Sequence, residues 1–332
     1  MLNEIWFVLL TVLLAGYAIL DGFDLGVGIL HLFSRKEEHR RVIMNAIGPV
    51  WDGNEVWLLT FGGALFAAFR IAYATVFSAF YTALMLVLCT LIFRAASLEF
   101  RSKVESPAWR ATWDFVFSLS SFLAALLFGV AVGNVLVGLP IEDLVYKGSF
   151  FSLLNPFSVL VGLMTVALFA LHGALFLRIK ASGELEIQAE RWITLTHRAF
   201  VILFILVTVQ AIITVPHARV SWGSWLVLPL NICAIAAIRP LSKTGRPHWA
   251  FVASGVNVLL LVVNFAASMF PNLLISSLGA QHNVTIYNGA NSQKTLGIMF
   301  GIVCVGFPLV LLYTAWVYWL FRGKVRLDKH SY

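Results

Sequence analysis

The chain has 332 residues, of which 60% are hydrophobic and only 12% charged. Soluble domains carry roughly 25% charged residues, so a water-facing globular surface is excluded and lipid is the expected solvent. The net charge of +7 does not mark a nucleic-acid binder, because the basic residues sit in short gaps between apolar runs and not on one face or arm.

About 20 apolar residues cross the hydrocarbon core as a helix. In chain order the sequence predicts nine spans, at about 5–33, 42–69, 71–93, 114–139, 156–178, 197–216, 225–238, 249–271 and 296–321. The opening MLNEIW carries Glu4 and no basic residue, so the first run is expected to be a retained span and not a secretory signal. The second contains Gly48-Pro49, where a kink is expected, and the third follows it after only a short break around Phe69–Ile71. The seventh is short, is broken by Pro229 and could begin nearer Val220. Cys89, Cys233 and Cys304 all fall inside apolar runs, without a CxxC pair, and read as small core residues.

Alternate loops divide the 23 basic residues sharply. Nineteen lie in the segments Arg35–Arg41, Arg94–Arg110, Arg178–Arg198, Arg239–Arg246 and Arg322–Lys329, and four, Arg70, Lys147, Arg219 and Lys294, lie in the other set. The positive-inside rule then predicts an outside N-terminus and a cytoplasmic C-terminus. Two long loops, about 140–155 and 272–295, fall on the outer side.

Ionisable groups inside a span are costly and usually functional. Asp21 and Asp24 lie in span one, and Asp52 and Glu55 in span two. Each pair is spaced i, i+3, which puts both carboxyls on one helix face. Counting rise per residue places Asp21 and Asp24 roughly 24–28 Å from the outer end of span one. The same count places Asp52 and Glu55 roughly 16–21 Å into span two from the cytoplasm, which suggests a ladder stepping from the inner surface to mid-membrane. No Lys or Arg lies at matching depth in these two spans, so the carboxyls need protons, water or another chain. The plainer alternative is that Asp21 and Asp24 sit in headgroup water and end the helix. Gly22, Gly26, Gly28, Gly62 and Gly63 offer sites of close helix approach. His172, with His197 near the same depth, could serve as a haem ligand, but a hydrogen-bonded core or interfacial histidine is the preferred reading. No metal site is expected.

At these residues the sequence resembles subunit II of the cytochrome bd quinol oxidases. The resemblance is carried by DGFDLGVG (21–28), GPVWDGNEVWLLTFGGALFAAF (48–69), FRAASLEFRSK (93–103), GSFFSLLNPFSVL (148–160), LHGALFL (171–177) and TIYNGANSQKTL (285–296). It implies an all-α integral membrane protein, a single polytopic domain of nine transmembrane helices: a four-helix bundle over about 1–139, a second over about 156–271, and a peripheral helix at about 296–321. It implies a haem-bearing partner, subunit I, with two b-type haems, one d-type haem and the quinol site, and no haem on this chain. A small single-span subunit, lipids and quinone are further partners it brings into view, in a bacterial or archaeal cytoplasmic membrane. The complex would oxidise quinol and reduce dioxygen to water with cytoplasmic protons, contributing to the proton-motive force. By motif, Asp24 and Asp52 match the family's proton-pathway aspartates, Asp21 is a further candidate, and Trp57 matches a tryptophan at the family's oxygen channel. Glu55 stands where relatives can have glutamine, and its role is less secure. The competing reading is an ion-coupled secondary transporter using Asp52, which would predict inverted repeats with broken helices in both halves.

Overall fold

The computed structural model describes residues 1–327 apart from Pro216 and 218–220, so Arg219 and Lys329 of the charge count lie outside the described residues. Among the described residues the chain folds into eleven α-helices: α1 (Leu2–His31), α2 (Glu37–Ile47), α3 (Trp51–Ala68), α4 (Arg70–Ala79), α5 (Tyr81–Phe100), α6 (Pro107–Val137), α7 (Pro156–Lys180), α8 (Gly183–Thr214), α9 (Trp222–Lys243), α10 (Pro247–Met269) and α11 (Gln293–Leu320). Two short antiparallel ribbons complete it, β1 (Ile141–Glu142) with β2 (Val145–Tyr146) and β3 (Asn272–Leu274) with β4 (Val284–Thr285). Helices dominate because a chain in hydrocarbon must satisfy its backbone within each segment.

Helix starts follow local chemistry. Pro107, Pro156 and Pro247 occupy first-turn positions, where a missing N–H costs nothing. Asn155, Ser221 and Ser292 cap α7, α9 and α11 by accepting from the backbone N–H of Ser158, Ser224 and Thr295. Pro229 and Pro240 lie inside α9, which nonetheless runs 22 residues from Trp222.

Among the described residues eight helices, α1 and α5 to α11, are long and apolar enough to cross a membrane. The second and third expected spans differ most from the sequence reading. Gly48-Pro49 does more than kink: α2 stops at Ile47 and α3 starts afresh at Trp51. Phe69 leaves helical geometry at φ −134°, ψ 63°, so α4 is a separate ten-residue helix. The third expected span corresponds to α5, which extends to Phe100 instead of ending near residue 93. Hydropathy is blind to such breaks because both sides of each break remain apolar.

The core sits between α1 and α7. In the most apolar stretch of α7, 72% of residues are buried within the chain, against 6% in α11, so α7 is central and α11 lies at the margin. A side chain at Gly26 would collide with the Phe169 carbonyl oxygen and stand 2.9 Å from the Gly173 nitrogen, while one at Gly22 would meet the Phe169 ring. The register 22 to 169 and 26 to 173 shows α1 and α7 running parallel. Phe23 stacks on Phe176 at 4.2 Å along the same seam. Helices α6 and α7 pack antiparallel, Gly129 lying against Gly162 and Gly133 against Ser158. Without a hydrophobic drive between helices in lipid, small residues at these crossings let backbones approach and gain dispersion contact.

Other small residues do not behave as expected. Gly62 and Gly63 have open space where a Cβ would stand, so they make no close crossing. Cys89, Cys233 and Cys304 are exposed on the chain surface and are not core residues, since a lipid-facing position is as apolar as an interior one. At the end of the molecule where α1 begins, the two long loops close over one another. Ser276 Oγ donates to the Ile141 carbonyl at 2.5 Å, and Asn3 Nδ2 to the Ile286 carbonyl at 2.7 Å.

Candidate functional site

Helix α3 lies antiparallel along α1. Trp57 packs over Gly16 with Leu13 and Tyr17, while Leu65 and Ala68 reach the cluster that holds Leu10 and Trp6. This register brings the acidic segments of the two helices level. Arg94, projecting from α5, joins them: Nη1 donates to Asp21 Oδ1 at 2.7 Å and Nη2 to Glu55 Oε2 at 2.8 Å. Arg94 and Asp21 are fully buried, and Glu55 is partly exposed.

Two expectations are corrected by this arrangement. The carboxyls do not lack a cation: the basic residue assigned to a loop lies within α5, because that helix runs further than its hydropathy suggested. Nor do the two pairs form a ladder in depth. Helix α3 starts afresh at Trp51, so rise cannot be counted from residue 42 along one helix, and Glu55 sits beside Asp21 on the same guanidinium.

Asp24 lies one turn beyond Asp21 and is fully buried. Its Oδ2 accepts from Asn54 Nδ2 at 2.7 Å, and its Oδ1 has no hydrogen-bond partner among the described residues. Asn54 in turn accepts at Oδ1 from the Tyr318 hydroxyl of α11 at 2.9 Å. Asp21 Oδ2 and the Tyr17 hydroxyl are likewise without partners among the described residues. Three carboxyls, Asp21, Asp24 and Glu55, thus face one guanidinium. If all were ionised, two negative charges would stand uncompensated, a surplus that protons, water or a partner's cation must absorb. Asp52 stands apart at the start of α3 on an exposed stripe continued by Val56, Leu59, Gly63 and Phe66. Trp57 is buried next to the cluster, its ring 5.9 Å from Phe307.

A second buried ion cluster escaped the sequence reading, which singled out only the first. Asp114, near the start of α6, receives His31 Nε2 at 2.6 Å, Arg101 Nε at 2.5 Å and Arg40 Nη1 at 2.9 Å. Arg101 also donates to Glu37 at 2.8 Å. Asp114 and His31 stand at span ends, away from the acidic pairs that drew attention; the available signal was an aspartate entering an apolar run, TWDFVF.

His172 is fully buried on α7. Its Nδ1 pairs with Ser254 Oγ at 3.0 Å, its Nε2 lies 3.1 Å from the Ile19 carbonyl, and its ring stacks on Phe251 at 4.5 Å. With both nitrogens engaged, it does not fit a haem axial ligand as it stands. His197 Nε2 is held by the Ile235 carbonyl at 3.1 Å. Among the described residues no cluster of three His, Cys, Asp or Glu could hold a metal ion.

The fold and its buried charges define a multi-span helical membrane protein organised around a carboxyl-rich cluster. The chain belongs to the family described as cytochrome bd terminal oxidase subunit II, which it matches over residues 2–321. It is 37% identical to the cytochrome bd-I ubiquinol oxidase subunit 2 of Escherichia coli K12, covering 98% of this chain and 95% of that one. It is 35% identical to the probable cytochrome oxidase subunit 2 of Haemophilus influenzae, over 99% and 98% of the two chains. A similar fold is found in the structure of bd oxidase from Geobacillus thermodenitrificans, with a TM-score of 0.78, 18% identity, and coverage of 96% and 98%. The protein is therefore a subunit of a cytochrome bd oxidase, an oxidoreductase of the bacterial inner membrane, and the family implies a haem-containing complex with a subunit I. That membership favours the oxidase-subunit expectation over an ion-coupled transporter.

Proposed function

We propose that this chain is the haem-free subunit II of a quinol:dioxygen oxidoreductase. It stabilises subunit I, which carries two b-type haems and one d-type haem, and supplies protons and dioxygen while water is formed. The observation that carries the proton role is the surplus of carboxyls over cations around Arg94, with one oxygen of Asp24 left without a partner among the described residues. In this reading Asp52, exposed on α3, collects protons and passes them to Asp24. Asp21 and Glu55, clamped by Arg94, set the field around that step. The apolar stripe beyond Asp52 faces subunit I, and Trp57 borders an aromatic-lined path for dioxygen.

The reading also takes α3 as a ninth crossing. Its 18 residues span about 27 Å, close to the hydrocarbon thickness. Parallel α1 and α7 require an odd number of crossings between them, and α3, α5 and α6 supply three. Two four-helix bundles follow, α1, α3, α5 and α6 against α7 to α10, with α11 peripheral and the N-terminus outside.

The experiment uses the assembled complex in proteoliposomes, with quinol oxidation and charge movement measured for Asp52→Asn. We expect both to fall together, by about tenfold or more, as for loss of a proton-transfer group. Wild-type turnover and charge movement would remove Asp52 from the route.

A further inference from the structure

We propose that the membrane face at which α1 ends and α8 begins carries a binding site for the headgroup of an anionic phospholipid. A pocket of ≈ 540 Å³ opens there between the α1–α2 link and the first turns of α8. Arg35, Lys36 and Arg191 line it, with His39 beside them and Glu184 as the one carboxylate. Lys36 pairs with Glu184, which leaves Arg35 and Arg191 as cations with no ion pair among the described residues. Their common chemistry is recognition of a phosphate oxygen.

The apolar part of the pocket selects lipid over a free anion. Phe33 is 65% exposed and Ile187 61% exposed on the same walls, and Trp192 forms buried backing. Such side chains beside a pair of arginines suit a ligand whose anionic group continues into acyl chain. The pocket lies where two apolar helices reach the membrane surface, the level of lipid headgroups, and basic pockets between such helices are suited to anionic lipid. The walls are held together: Gln188 Nε2 on α8 donates to the Phe33 carbonyl at 3.0 Å. None of these groups belongs to the Arg94 cluster, so the site stands independently of the proton reading.

The test is native mass spectrometry of the assembled complex, delipidated and then offered phosphatidylglycerol, phosphatidylcholine or inorganic phosphate. The wild type should retain phosphatidylglycerol in preference to phosphatidylcholine. The double variant Arg35→Gln/Arg191→Gln should retain it about thirtyfold less well, each basic side chain at a membrane surface being worth about fivefold. Arg35→Lys/Arg191→Lys should stay close to wild type, and so should Lys243→Gln/Arg246→Gln, which removes two exposed charges elsewhere. Equal retention of the two lipids, full displacement by inorganic phosphate, unchanged retention in the Gln pair, or an equal loss in the Lys pair or in the Lys243/Arg246 pair would each overturn the proposal.

Discussion

Two buried ion clusters lie in the first half of this protein, and they differ in balance. Around Asp114, one carboxylate is enclosed by Arg101, Arg40 and His31, with Glu37 completing Arg101. Both Asp114 oxygens are bonded, and the links tie together the end of α1, α2, the segment after α5 and the start of α6. Around Arg94 the balance differs, with three carboxyls to one cation and, among the described residues, unpartnered oxygens on Asp21 and Asp24. A cluster whose central carboxylate has both oxygens paired resists change because any loss leaves buried charge uncompensated. An acid-rich cluster with spare acceptors can take up and release a proton with little rearrangement. Burial alone is therefore no guide to role; under the proposed function, the ratio of donors to acceptors is what would separate a clamp from a relay.

The largest effect should come from breaking the clamp. Asp114→Asn leaves Arg101 and Arg40 facing a neutral amide, which should cost about 3–5 kcal/mol of stability. Thermal unfolding and the yield of assembled complex would report it, while turnover per assembled complex should stay near wild type. A variant that assembles normally but turns over slowly would move Asp114 into the relay class. Arg94→Lys tests the other cluster. A lysine keeps the charge but not the two-pronged geometry, so one of the two charged bonds to Asp21 and Glu55 is lost, at about 1.5–3 kcal/mol. Assembly should survive and quinol oxidation should fall. An unchanged rate would reduce Arg94 to a packing element.

Much of this contrast was legible in the sequence, and the rest was hidden for definite reasons. Apolar periods located the long helices, and the rarity of charge inside them drew attention to Asp21, Asp24, Asp52 and Glu55. The partner of those carboxyls was missed because Arg94 is adjacent to a basic, loop-like segment, and only the length of α5 turns it inward. The order of the carboxyls was misread because Gly48-Pro49 ends one helix and starts another, which rise counted along a single span cannot register. The Asp114 knot gathers residues from 31 to 114, and neither spacing nor hydropathy reports contacts over such separations.

The smallest structural change carries the finest test. In Asp24→Asn the side-chain oxygen can still accept from Asn54, and the new amide replaces the oxygen that has no partner among the described residues. Shape and that hydrogen bond are kept, so stability should move by less than about 1 kcal/mol. What is lost is the capacity to exchange a proton. If the Arg94 cluster serves as a relay, quinol oxidation and charge movement in proteoliposomes should fall steeply in a complex that assembles and melts like wild type. If both rates hold, Asp24 is only a hydrogen-bond acceptor for Asn54, and the two clusters differ in composition but share a purely structural role.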